Sequence, residues 1–276
     1  MQLSRFTHRT ACNLQNSVET LTVRVYPPTL QGVQMLRRIF MDVESVPPPE
    51  ERRPHIKPEI VHKLCRRGFS ASDADDGTDI CTVEQFRRLA LHAEYGRVLA
   101  IGLIIEHDWQ VAHYGLLGRE RPSGRFHLDE RRTLRAFWRL LHDFNVGRDL
   151  IIGHNVLDFD LPFLYKRSRI NRIHPSILLS FARYKSAPVY DTMREWAHWN
   201  PQAPLVSLDQ LSDILGVGLS KLDGMDGGSV YDEYLAGNHA RVAAYCLRDV
   251  EIARAIYYRM VFPEGPEPQG LATSHE

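Results

Sequence analysis

The sequence is poor in cysteine. Its four cysteines (Cys12, Cys65, Cys81 and Cys246) are scattered over 276 residues and form no CxxC pair. That argues against a disulfide framework or a four-cysteine zinc site, and it fits a reducing, cytoplasmic setting. Net charge is also missing, because 34 Lys and Arg balance 34 Asp and Glu. A broadly basic nucleic-acid binder is disfavoured, although a local basic stripe is not. No apolar run approaches the roughly 18 residues of a membrane span. Glycine (18) and proline (16) are too sparse for a collagen-like or low-complexity chain. What remains is an ordinary globular composition, 43% hydrophobic and 25% charged. Such a chain makes one large domain or two small ones and buries a sizeable core without staples.

Residues 1–33 carry Arg5 and Arg9, with no acidic residue before Glu19. They read as a poorly ordered N-terminal extension, faintly like a transit peptide but without a secretory apolar core. The Pro/Gly-rich stretch 263–276 reads as a disordered tail. Between them, residues 34–262 form one domain. Ile39, Phe40, Met41 and Val43 make a short buried strand that Pro47, Pro48 and Pro49 stop. From Pro54 to Glu94 the chain is polar and irregular, with Ser70–Thr78 an exposed loop. Val98–Ile105 is a second strand, and Trp109–Leu117 pairs with it as a hairpin across Glu106-His107-Asp108. Asp129 opens a helix whose Leu134, Phe137, Trp138 and Leu141 share one face. Asp149–Gly153 is another buried strand, and Leu161–Ile173 is helical with basic residues outward. Ser207 caps a short helix closed by Gly216, and Asn238 caps a long one over His239–Met260. This order predicts an α/β fold, a mixed central sheet flanked by helices.

The carboxylates carry the chemistry. Asp42 and Glu44 sit at i and i+2 on a strand and so face one side. Two carboxylates there invite a divalent cation, and hard oxygen donors select Mg²⁺ or Mn²⁺. A solvated strand end is the alternative. After the 149–153 strand comes Gly153-His154-Asn155-Val156-Leu157-Asp158-Phe159-Asp160, polar residues where open α/β sheets place ligands. Either aspartate could instead cap the following helix. Tyr245 and Asp249, four apart, share an otherwise apolar helix face. An aspartate there must be paired, protonated or metal-bound, with Arg248 or Arg254 as the available ion-pair partners. His62-x-x-Cys65 reads as core packing, and GVGLSK lacks the spacing of a phosphate-binding loop.

Taken together, Phe40-Met41-Asp42-Val43-Glu44, Gly153-His154-Asn155 through Phe159-Asp160, and Tyr245-Cys246-Leu247-Arg248-Asp249 resemble the three motifs of DnaQ-like 3′–5′ exonucleases. Their order is that of the DEDD superfamily in its tyrosine form (DEDDy), since Ala244 stands where the histidine form has His. The second motif, Ser207-Leu208-Asp209-Gln210-Leu211 and Lys221-Leu222-Asp223-Gly224 are similar to the stand-alone predicted exonucleases related to the exonuclease domain of family B DNA polymerases. Ser45 departs from the usual Thr, and the 47–94 stretch is longer than the family's pattern.

The resemblance implies an RNase H-like (DnaQ-like) fold and two Mg²⁺ or Mn²⁺ ions held by Asp42, Glu44, Asp160 and Asp249. Tyr245 would position the attacking water, while Asn155, Phe159 and Lys221 would contact substrate. The implied activity is hydrolysis of phosphodiester bonds at the 3′ end of single-stranded nucleic acid, DNA before RNA, releasing mononucleotides. The implied partners are strand ends and replication or repair proteins, with no membrane. RNA 3′-end processing and a non-catalytic nucleic-acid-binding module on the same fold are the alternatives.

Overall fold

The computed structural model describes residues 36–57, 59–60, 82–217 and 224–261. The 1–33 extension, the Ser70–Thr78 loop, His62-x-x-Cys65, Lys221 and the 263–276 tail lie outside them. Five strands form one mixed sheet in the order β3-β2-β1-β4-β5. They are β1 (Arg37–Val46), β2 (Arg97–His107), β3 (Gln110–Leu117), β4 (Leu150–Gly153) and β5 (Val189–Asp191). The helices are α1 (Val83–Arg88), α2 (Glu130–Leu140), α3 (Asp160–Ile170), α4 (Thr192–Trp196), α5 (Leu208–Leu215), α6 (Val230–Leu235) and α7 (His239–Val261).

β1 is central, antiparallel to β2 and parallel to β4. Strand alternation sends Ile39, Met41 and Val43 into one core with Leu134, Phe137 and Leu161, under α2 and α3. Phe40 faces the other way and packs with Val250, Tyr257 and Tyr258 of α7. Asp42 and Glu44 share Phe40's parity, so the sequence pattern that builds the core also aims them towards α7.

The β2–β3 turn is Asp108-Trp109, later than expected, with both residues at positive φ (44° and 73°). A two-residue turn of this hand matches the twist of its strands but strains residues other than Gly and Asn. Side chains hold it: Asp108 accepts from the Leu36 N–H at 3.0 Å, and the Arg38 guanidinium lies 4.2 Å above the Trp109 ring.

Between Pro54 and Glu94 the expectation of irregular chain fails at α1, where Thr82 and Gln85 form a capping box. The basic outer face expected of α3 is corrected at Arg167, which is buried and forks onto Glu130 at 2.8 and 2.6 Å. Glu130 also accepts from the Val98 N–H, so this ion pair ties α2, α3 and β2 together. β5, only three residues long, was too short to show as a period. Among the described residues no helix is long and apolar enough to cross a membrane.

Gly102 sets how closely α7 approaches the sheet. It pairs with Asp42 in the β1–β2 register. A Cβ there would sit 2.8 Å from Val250 Cγ2 and 2.9 Å from Cys246 Sγ. Gly102→Val is therefore expected to push α7 outward and destabilise the fold by about 1–3 kcal/mol, the cost of overpacking. A melting temperature within about 2 °C of the wild type would show that the close approach is not needed.

Candidate active site

The site is built at the carboxyl end of β1. Asp42 is half-buried and Glu44 is buried. A bulge between Glu44 and Ser45 breaks the β1–β2 register there, a device that re-aims side chains at strand ends. α7 crosses above, bringing Tyr245, Cys246 and Asp249, all buried, down onto these carboxylates. Ligand atoms of Asp42, Glu44 and Cys246 lie within 4.8 Å of one another. The thiol is 4.0 Å from Asp42 Oδ2. Burial, followed by the charges of Glu44, Asp42 and Asp249, raises the Cys246 thiol well above its ordinary value. It is thus a neutral, weak donor beside Asp42, and the hard-cation donors of this group are the two carboxylates. Helical spacing already puts Cys246 on this face, three residues before Asp249, but a cysteine there reads as core packing.

Tyr245 titrates far above an ordinary phenol. Burial is the first cause, then the charges of Asp249, Glu44 and Asp42, and a hydrogen bond with Asp249. Those causes place Tyr245 and Asp249 in the same electrostatic field as Asp42 and Glu44. Of the two arginines offered as partners for Asp249, Arg248 holds Glu251 at 3.0 Å and Arg254 holds Glu106 at 2.5 Å.

Asp160 enters from the opposite layer as the first residue of α3. The cap expected of Asp158 or Asp160 is absent, because the N-cap is Phe159 without a side-chain bond. Asp158 turns outward to Arg194 Nε at 2.6 Å. Asp160 turns inward, accepting from its own N–H and from that of Val43, the residue between Asp42 and Glu44. Its Oδ1 is buried without a hydrogen-bond partner among the described residues. Burial, with the nearby charge of Asp191, pushes the Asp160 carboxyl up to about 7. This adjusts the expectation from sequence. Asp160 reaches the β1 main chain, but the like charge it feels most is Asp191, not Asp42, Glu44 or Asp249.

Asp191 was missed. It is fully buried at the end of β5 and caps α4, accepting from the N–H groups of Met193 and Arg194 at 3.0 and 3.2 Å. It also accepts from the N–H groups of Asn155 and Leu157, both at 3.0 Å. One carboxylate thus shapes the Asn155–Asp160 loop that presents Asp160. Asn155 itself sits at φ 63°, a left-handed conformation Asn tolerates better than most residues. Phe159 is half-buried, its ring 5.4 Å from that of Phe163. His154 braces the loop through Thr192 Oγ1 and the Val206 carbonyl, each at 3.0 Å. The available signal for Asp191 was Asp-Thr ahead of apolar Met193, the pattern of a helix N-cap.

Asp191→Ala is expected to lower metal-free stability by about 3–5 kcal/mol, since four N–H groups, one buried and three part-buried, lose a charged acceptor. That corresponds to a drop of about 10 °C or more in melting temperature for a domain this size. A change below about 3 °C, on the same scale, would contradict the loop-holding role.

Acidic side chains gathered at the carboxyl end of the central strand of a mixed β3-β2-β1-β4-β5 sheet define an α/β protein with the RNase H-like architecture of polymerase exonuclease domains. Residues 86–266 match the family described as predicted 3′–5′ exonuclease related to the exonuclease domain of PolB. The chain belongs to that family. The match begins after β1, so Asp42 and Glu44 lie ahead of it, while the Asn155–Asp160 and Tyr245–Asp249 segments lie within it. Among solved structures the chain resembles the family B DNA polymerase from the hyperthermophilic archaeon Pyrobaculum calidifontis. The TM-score is 0.50 at 16% identity, covering 86% of this chain and 25% of that one. At that identity the likeness concerns the fold, and this chain spans a quarter of the polymerase's length. No curated protein matches the chain.

Proposed function

We propose that the chain, through residues 34–262, is a metal-dependent 3′–5′ exonuclease that removes mononucleotides from the 3′ end of single-stranded nucleic acid, with DNA as first substrate. The observation that carries this reading is the meeting of two layers at the end of β1. Asp42 and Glu44 lie under Tyr245 and Asp249, while Asp160 is hydrogen-bonded to the Val43 N–H between them. Buried carboxylates brought together in this way need protons or cations. Asp160 Oδ1, buried and without a partner among the described residues, is such an open position. The donor set fits Mg²⁺ or Mn²⁺, which Asp42, Glu44, Asp160 and Asp249 would hold. When bound, such ions activate a water and stabilise the leaving 3′-oxygen.

The protein's own groups do the rest. Tyr245 keeps its proton at neutral pH, so it orients a water by hydrogen bond and does not act as a base. Asn155 and Phe159 stand on the loop that delivers Asp160, where they would order the terminal nucleotide. Tyr245→Phe is expected to slow turnover by about 10- to 1,000-fold without abolishing it, the range of a single positioning group. Loss equal to that of removing a carboxylate would assign the hydroxyl a larger role.

The activity is tested with an internally labelled oligonucleotide incubated with Mg²⁺, Mn²⁺ or EDTA. Release of labelled mononucleotides only with metal supports the reading. Internal fragments as the first products, or no products with either metal, overturn it.

A further inference from the structure

Beyond the acidic site, one end of the sheet carries an exposed surface that pairs aromatic faces with basic side chains. It lies on the segment leading into the edge strand β5. Phe181, Arg183, Tyr184 and Lys185 are all exposed, and residues 180–187 carry no acid. The Tyr184 ring is 5.8 Å from that of Trp199. The segment is anchored from beneath: the Phe181 ring meets the buried Tyr165 edge-on at 5.5 Å, and the Leu179 N–H donates to the Tyr165 hydroxyl at 3.0 Å. Tyr184, His198 and Trp199 all have positive φ (63°, 48° and 57°). Bulky residues rarely adopt that conformation, and its recurrence in one patch marks surfaces shaped for contact.

The patch is net positive. Arg183 and Lys185 form no ion pair among the described residues. The neighbouring carboxylate, Glu195, accepts neutral donors, Ser186 Oγ at 2.8 Å and Trp199 Nε1 at 3.1 Å, and so offsets one of the two cations. Asp158 is held by Arg194. The placement links this surface to the acidic site. α4 is five residues long, about 7.5 Å at 1.5 Å per residue. Its Asp191 cap holds the Asn155–Leu157 loop at one end. Trp196 and Trp199 follow at the other.

We propose that Tyr184 and Trp199, flanked by Arg183 and Lys185, form a docking track for the single strand that leads away from the 3′ end held at the acidic site. Aromatic faces stack bases whatever their identity, and cations between them meet successive phosphates. The track rests on the exonuclease reading for its direction, but not for its affinity.

The test separates the two. Metal-free protein is titrated into a fluorescein-labelled single-stranded oligothymidylate of about 15 nucleotides, a length that spans a typical single-strand site, and anisotropy is followed. Tyr184→Ala should bind about tenfold or more weakly, the scale of removing one stacking platform. Tyr184→Phe should bind like the wild type, which a merely structural loss would not do. Arg183→Glu with Lys185→Glu should weaken binding and make the dependence of log affinity on log salt shallower by about 0.7 for each phosphate no longer neutralised. Melting curves confirm that these exposed variants are folded. Unchanged affinity in folded Tyr184→Ala and in the charge-reversal variant removes the track, whether or not the protein cuts. Tight, variant-sensitive binding of an oligonucleotide that is never cut with Mg²⁺ or Mn²⁺ keeps the track and removes the exonuclease.

Discussion

Asp42→Ala is expected to abolish hydrolysis, lowering the rate by at least about 1,000-fold, as happens when one member of a catalytic unit is deleted. The expectation follows from where Asp42 lies. It is opposite Gly102, the position that lets α7 close onto the sheet. Its charge reaches the buried Tyr245 and Cys246, raising both. No neighbour can replace it, because Glu44 lies past the next residue at the bulge and Asp160 approaches from the other layer. The fold should survive the change. Asp42 is only half-buried, and removing it relieves a cluster of like charges. The metal-free melting temperature should therefore match or exceed that of the wild type. A variant that unfolds, or that keeps more than about a tenth of wild-type turnover, would place the catalytic unit elsewhere.

Asp160→Asn should trade activity for stability, losing about 100-fold or more in rate while melting higher without metal. An ordinary aspartate ionises near 3.8 in the unfolded chain, whereas burial pushes Asp160 up to about 7 in the fold. Between those values the folded state holds a proton that the unfolded state has lost, so stability falls as pH rises through the window. The penalty is absent below about pH 4, complete above about pH 7, and on the order of a few kcal/mol at most. The amide keeps the side chain's size without the charge, so the gain should be on the order of 1 kcal/mol or more at pH 8 and vanish near pH 4. Millimolar Mn²⁺ should raise the wild-type melting temperature more than the variant's, because only the charged site gains by binding it. Melting curves of both proteins from pH 4 to pH 8, in EDTA, check the sign. A variant that melts lower at pH 8 would make Asp160 a structural acceptor for the Val43 N–H and nothing more.

Much of this was legible in the sequence because the site is attached to strongly periodic elements. β1 announces itself by Ile39, Phe40, Met41 and Val43, and the alternation that buries them puts Asp42 and Glu44 on the α7 side. α7 announces itself by Val242, Cys246, Ile252 and Ala253, all buried, which places Tyr245 and Asp249 on the inward face. What stayed hidden lies in short or irregular pieces. β5 and α4 span three and five residues, too few for a period, so Asp191 at their junction passed as an ordinary aspartate. Arg167 looks in the sequence like one of several outward cations, and its partner Glu130 is 37 positions away. Partnerships across that distance leave no local pattern. The same holds for Gly102, whose importance comes from a helix that arrives more than a hundred residues later.

The most direct test of the account is the polarity of cleavage. A 5′-labelled single-stranded DNA oligonucleotide is incubated with wild-type protein and Mn²⁺, and products are resolved over time on a denaturing gel. The account predicts a ladder of labelled products shortening one nucleotide at a time from the 3′ end, absent in EDTA and absent with Asp42→Ala. Label released at once as a mononucleotide, or an oligonucleotide that stays intact with both Mg²⁺ and Mn²⁺, would contradict it.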